Sequence, residues 1–369
     1  MKVVSHSELK EIIKIAYKTK LSLFVHGTMG IGKSTVIKET AKELAKEMKR
    51  EYAEWNKVRD KEKLFEHPEK YFVVADFRLS QIDPSDIKGI PMPSNGSVVW
   101  KIPKVFEWFT LENSAGIIFF DEINLSPNTI QSSVYQIIYD KEIGEKPLSD
   151  KVIIVSAGNR AEDRANIYEL PAPLSNRFIH VELKIPSIEE WTEWALRNGI
   201  DNRIIAFLNF RQALLYKFDR NIKDHAFCTP RTWEFASKLI KDIDSKNLDL
   251  IETLVASSVG EATAIEFVSF LKLKESVDID EIIKNPEKIR EIDKIDMKYA
   301  VISELVGRYE KNKKLLEKMI QIANNLDPIE VRYLLLRMIK EKDEDYFKKN
   351  VIRCKGWEVV RDTLSKYLL

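Results

Sequence analysis

The stretch Gly27-Thr28-Met29-Gly30-Ile31-Gly32-Lys33-Ser34 decides how the rest of the chain is read. It matches the phosphate-binding loop pattern, two glycines five positions apart followed at once by lysine and a hydroxyl residue, which chance seldom produces. The motif also needs a strand before it and a helix after it. Leu21-Ser22-Leu23-Phe24-Val25 reads as a buried strand, and residues 35–55 carry apolar positions at helical spacing. Glycines let backbone N–H groups converge on phosphate oxygens, and the helix macrodipole favours an anion at the same place. In that geometry Lys33 reaches the β- and γ-phosphates of a nucleotide, the Ser34 hydroxyl binds Mg²⁺, and Thr35 stands beside it. The competing reading is a plain glycine-rich turn between strand and helix.

Working outward, residues 71–77, 116–120 and 152–156 read as further strands and residues 7–17 and 127–139 as helices. Such alternation predicts an α/β fold with a mostly parallel sheet covered on both faces by helices. Asp121-Glu122 follows the apolar run at 117–120, so two carboxylates emerge at the carboxyl end of a buried strand, where open α/β sheets bind ligands. Asp121 would hold Mg²⁺ through its water shell and Glu122 would polarise an attacking water. Asn159, just past the strand at 152–156, would place an amide beside them to orient water or touch the γ-phosphate; otherwise it is a turn-forming residue. Ser94-Asn95-Gly96, between apolar flanks, suggests a short hairpin carried in a loop. Beyond Pro186 only helical patterns remain. The expected domains are a nucleotide-binding core at 1–185, a helical lid at 186–276 and a C-terminal helical extension at 277–369.

Length and composition limit the options. A chain of 369 residues exceeds what one hydrophobic core usually serves, and 44% hydrophobic with 32% charged residues is the balance of a soluble globular protein. With 59 basic and 58 acidic residues, no global charge draws the chain to nucleic acid or an anionic membrane. Two cysteines, Cys228 and Cys354, lie far apart without metal-ligand spacing and read as buried small hydrophobes in a reducing compartment. The N-terminus has no secretory pattern, and the apolar stretch 251–271 carries Glu252, Glu261 and Glu266, which makes it a core helix rather than a membrane span. A cytoplasmic protein without a membrane partner is expected.

Residues 27–34, Asp121-Glu122, Asn159, Leu174-Ser175-Asn176-Arg177-Phe178 and Thr229-Pro230-Arg231-Thr232-Trp233 together resemble the AAA+ ATPases. The order and spacing match from about Leu21 to Leu239. Asp86-Ile87-Lys88-Gly89-Ile90-Pro91 and Ala157-Gly158-Asn159-Arg160 look like the helix-2 insert and sensor-1 stretches of the MoxR-like branch. The resemblance implies an AAA+ core followed by a helical lid, ATP as the nucleotide, and a homo-oligomer in the form of a hexameric ring. It also implies that Arg177 is an arginine finger serving the neighbouring subunit's nucleotide and that Arg231 is sensor 2 of the lid. A guanidinium is permanently charged and forked, and supplying it in trans makes hydrolysis depend on assembly. Each arginine could instead be an ordinary surface or ion-paired residue. Arg78, Arg160 and Arg164 divide evenly between structural ion pairs and a subunit boundary, whereas Trp100 reads first as a packed aromatic, with a substrate grip at a ring pore as the alternative.

Three functions follow. The first is a Mg²⁺-dependent ring ATPase that remodels or matures a partner protein complex, as MoxR-like proteins do with partners containing a von Willebrand factor A domain. The second is a nucleic-acid motor similar to the GTPases of methyl-directed restriction; Lys311 to Lys318 is its basic stretch, but Glu310 and Glu317 accompany it. The third is a nucleotide-gated binding module with slow turnover.

Overall fold

Residues 115–121 and 151–158 are nearly continuous runs of Val, Ile, Phe and Ala, a pattern that only a strand buried on both faces can use. In the computed structural model, which describes residues 1–160, 168–218 and 225–361, both runs sit at the heart of one sheet. The strands among these residues are β1 (Lys2–Val4), β2 (Ser22–His26), β3 (Glu51–Glu54), β4 (Tyr71–Arg78), β5 (Ile90–Ser94), β6 (Ser97–Lys101), β7 (Ala115–Asp121), β8 (Glu142–Ile143), β9 (Lys146–Pro147), β10 (Lys151–Gly158) and β11 (Phe178–Leu183). Seven of them form a sheet in the order β1-β11-β2-β10-β7-β4-β3, parallel throughout. Because every strand of this sheet runs the same way, Gly27, Asp121 and Asn159 all lie at carboxyl ends along one side of it.

Side chains alternate across the sheet. Ile118, Phe120 and Ile154 face a core shared with Phe106, Trp108 and with Ile130, Val134 and Ile137 of the helix Asn128–Tyr139. Ile117, Phe119 and Ile153 are as deeply buried on the other side. The helices His6–Thr19 and Lys33–Glu47 pack on each other and on the sheet. The parallel sheet with flanking helices is the expected one.

Two local expectations fail, and two further strands fall where the sequence carried no assignment. Residues 35–55 were to be a single helix, but the helix stops at Glu47 and Glu51–Glu54 becomes the edge strand β3 beside β4. An edge strand needs little burial, here Ala53, so its charged residues hide it. The three-residue edge strand β1 is equally inconspicuous, and β11 carries His180 and Glu182 among its apolar residues. Residues 251–271 form two helices, Leu248–Val259 and Glu261–Lys272, separated at Gly260, whose φ of +96° ends the first. The hairpin does form: β5 and β6 pair antiparallel through Asn95 and Gly96, both at positive φ as a tight two-residue turn requires.

The chain separates into two units, Met1–Pro186 and Ser187–Leu369. The second is helical, and its apolar core includes Trp191, Phe207, Trp233, Phe267, Leu305, Ile320 and Leu335. Arg203 braces it from inside, paired with Asp201 at 2.7 Å and donating to the Ile240 carbonyl at 2.6 Å. Cys228 and Cys354 are both buried there as free thiols. Among the described residues no helix is long and apolar enough to cross a membrane.

Candidate nucleotide site

Strand β2 delivers the chain to Gly27, and the helix Lys33–Glu47 begins six residues later with Gly32 at its cap, φ +96°. A side chain at that position would be strained, and no side chain caps the helix start. The first-turn N–H donors of a helix need acceptors, and an anion supplies them. Lys33 is buried and folds back over the loop, donating to the Gly27 carbonyl at 2.6 Å and the Thr28 carbonyl at 2.9 Å. It also reaches Asn159 Oδ1 at 3.1 Å, across from β10. Gly27, Thr28, Gly30 and Ile31 are buried, Met29, Gly32 and Ser34 half-buried, and Thr35 exposed.

Ser34 Oγ donates to Asp121 Oδ2 at 2.9 Å. Burial pushes the Asp121 carboxyl above its ordinary value, as do the charges of Asp76 and Glu122, while the Ser34 hydrogen bond and Lys33 oppose the shift. A half-buried carboxylate whose hydrogen-bonding side-chain partner is a neutral hydroxyl would be stabilised by a cation. Mg²⁺ typically takes one or two protein oxygens and completes its shell with water and substrate phosphates. A hydroxyl and a carboxylate side by side fit that demand. Among the described residues no cluster of three or more His, Cys, Asp or Glu side chains could hold a metal by itself.

Glu122 sits in the left-handed region, φ +58°, uncommon for a residue with a side chain. Its N–H donates to Asp121 Oδ1 at 3.0 Å and its Oε2 accepts from Ser80 Oγ at 2.7 Å. Asn159 is held from behind. Asn124 Nδ2 donates to the Asn159 carbonyl at 2.7 Å, and the Asn159 N–H donates back to Asn124 Oδ1 at 3.1 Å. This clamp leaves no room at Gly158, where a Cβ would lie 2.6 Å from Asn124 Oδ1 and 2.8 Å from Phe24 Cζ.

A model of the AAA family, "ATPase family associated with various cellular activities", matches residues 23–184. Residues 23–184 therefore form a domain of the AAA ATPase family. Solved structures similar to the chain include a candidate ATPase of Cytophaga hutchinsonii, 16% identical over 92% of this chain and 82% of that one, TM-score 0.34. Another is the Aeropyrum pernix ORC2 protein in its ADP form, 15% identical over 91% and 93%, TM-score 0.32. A third is the RuvB Holliday junction branch migration motor of Thermotoga maritima, 14% identical over 78% and 74%, TM-score 0.29. No curated protein matches the chain in sequence.

The AAA+ residues taken from resemblance fall in different places. Arg177 is exposed on the turn between the helix Ala172–Ser175 and β11, with its guanidinium 3.8 Å above the ring centroid of Tyr139. Arg231 belongs to the second unit, exposed in the first turn of the helix Pro230–Ile240, which Thr229 caps through the Thr232 N–H. Arg160 pairs with Glu182 at 2.9 Å, Arg78 is exposed, and Arg164 lies outside the described residues. Trp100 is 46% exposed on the hairpin rather than packed in the core.

Several neighbours escaped the sequence reading. Ser80, Asn124 and Tyr139 carry no motif and become notable only through the side chain each touches. His26 and His180 form a chain beside the loop: a carbonyl only accepts, so His180 Nε2–H donates to Ser175 O at 2.7 Å, leaving Nδ1 to accept from His26 Nε2–H at 3.0 Å. Burial, then the neighbouring His180 and Lys33, lower His26 to about 4.

Proposed function

We propose that this AAA+ ATPase binds and hydrolyses ATP between the subunits of a hexameric homo-oligomeric ring, of the MoxR-like kind, and uses the cycle to remodel or mature a partner protein complex. The observation that carries this reading is the meeting of Lys33, Ser34, Asp121 and Asn159 from three neighbouring strand ends within hydrogen-bond reach of one another. The partner class, a protein with a von Willebrand factor A domain, rests on the MoxR-like motifs alone. The near balance of 59 basic and 58 acidic residues weighs against a nucleic-acid motor. Residues 186–276 would serve as the lid that carries Arg231, and residues 277–369 as an accessory region.

Residues 27–35 bind the phosphates, and the carbonyl contacts of Lys33 give way to β- and γ-phosphate oxygens. Ser34 and Asp121 would hold Mg²⁺, which when bound neutralises charge on the phosphates. Glu122 accepts a proton from the attacking water, oriented by Ser80 and by its own fixed backbone. Asn159 positions the γ-phosphate or the water. Arg177, exposed with its guanidinium on the Tyr139 ring, stabilises the transferring phosphoryl group of the adjacent subunit. Sedimentation velocity and steady-state phosphate release, with ATP and Mg²⁺, test this on wild type and Arg177→Ala. Wild type should assemble and turn over, with specific activity rising with protein concentration. Arg177→Ala should assemble while turnover falls at least about a hundredfold. Equal turnover by a wild-type monomer rules out the ring mechanism and leaves the phosphate site standing.

A further inference from the structure

The contact at the tip of Arg177 is not explained by its own subunit's nucleotide site. Tyr139 is the last residue of the helix Asn128–Tyr139, and although aromatic it is 45% exposed. Its ring stacks on Tyr135, centroids 5.7 Å apart and planes 19° from parallel. The Arg177 guanidinium lies on that ring at 3.8 Å. A two-ring aromatic shelf thus ends under a single cation, at the surface.

The backbone beneath Arg177 is pinned as well. Leu174 is buried in the sheet core, the Arg177 N–H donates to the Leu174 carbonyl at 3.1 Å, and the Ser175 carbonyl accepts from His180. The arginine is therefore held at root and tip, while the side chain between them would otherwise sample many rotamers in water. Stacking occupies the flat face of a guanidinium and leaves its five N–H groups, which lie in the plane, directed outward. Those in-plane donors are the ones that grip phosphoryl oxygens bidentately.

We propose that Tyr139 is a positioning residue for Arg177, an aromatic shelf that presents the guanidinium edge-on to a phosphoryl group on the neighbouring subunit. The inference rests on the reading of Arg177 as a trans-acting finger. Its benefit is kinetic: a finger already ordered before the transition state pays less rotamer entropy on reaching it. The ring face does this work and the phenol hydroxyl does not, so phenylalanine should serve equally.

The test is steady-state ATP hydrolysis by the full chain as wild type, Tyr139→Phe, Tyr139→Leu, Tyr139→Gln, Arg177→Ala and the Tyr139→Leu/Arg177→Ala double variant, each checked for assembly by sedimentation. Tyr139→Phe should stay within about twofold of wild type. Tyr139→Leu and Tyr139→Gln should lose about fivefold in kcat with the KM for ATP changed less than twofold, the size expected of one exposed cation–π contact. In the Arg177→Ala background the Tyr139 change should cost nothing further. Full activity of Tyr139→Leu and Tyr139→Gln beside a crippled Arg177→Ala overturns the shelf and spares the finger. So does a fivefold loss that persists without Arg177, or an equal loss in Tyr139→Phe. Full activity of Arg177→Ala removes the finger and the shelf together.

Discussion

Glu122 is the residue whose surroundings say most about chemistry. A left-handed backbone at φ +58° fixes where its side chain starts, and Ser80 fixes where it ends. A general base gains from such restraint because proton abstraction depends on distance and angle before it depends on pKa. Replacing Ser80 with Ala should lower kcat about tenfold, the worth of one hydrogen bond to a charged group. KM for ATP should hardly move, since the Ser80 hydroxyl is engaged with Glu122, and Ser80→Thr should retain most of the rate. A rise in turnover for Ser80→Ala would mean that the hydroxyl restrains Glu122 instead of aiming it. Glu122 and Asp121 are legible in the sequence because an acidic pair closing an apolar strand has a fixed chemical meaning. Ser80 and Asn124 are not, because they act through contact between neighbouring strand ends, and no spacing along one chain encodes that.

Two adjacent strands and one turn are joined by His26 and His180, which tie β2 to β11 and β11 to the segment that carries Arg177. His26 holds its proton only below about 4 when folded, against about 6.5 for a free imidazole. Between those values the unfolded chain carries the proton and the folded chain does not, so acid draws the equilibrium toward unfolding. Stability should therefore be fully present above about pH 6.5 and decline as the pH falls toward 4. Urea midpoints at pH 7 and pH 5 measure it, and the drop between them should shrink in His26→Gln, which keeps a donor but cannot titrate. An unchanged drop would place the acid sensitivity elsewhere. The same elements mark how far periodicity reaches. β2, β4, β7 and β10 are apolar enough to read directly, whereas β1, β3 and β11 lie at or near the edges, bury fewer side chains and leave a weaker signal. Apolar residues on both sides of Gly260 gave the impression of one helix, although a glycine at positive φ ends the first of two.

At the scale of the whole molecule, the proposed division of labour between subunits makes a prediction that no single polypeptide could satisfy. Glu122→Gln should bind ATP without hydrolysing it, yet it keeps Arg177 to offer a neighbour. Arg177→Ala has an intact water-activating carboxylate and no finger to give. Each variant alone should be nearly inactive, because every interface lacks one of the two groups. In a random equimolar ring, an active interface needs an Arg177→Ala subunit as the site and a Glu122→Gln subunit as the donor of the finger. With independent sites that arrangement occurs at about one interface in four, so the mixture should recover about a quarter of wild-type turnover. Recovery requires exchange of subunits, and mixing after cross-linking the separate rings should abolish it. If Arg177 acted on its own subunit's nucleotide, no mixture of the two variants would regain activity, because each polypeptide would carry its own lesion wherever it went. The quarter-activity result therefore separates a ring that shares its sites from a collection of self-sufficient subunits.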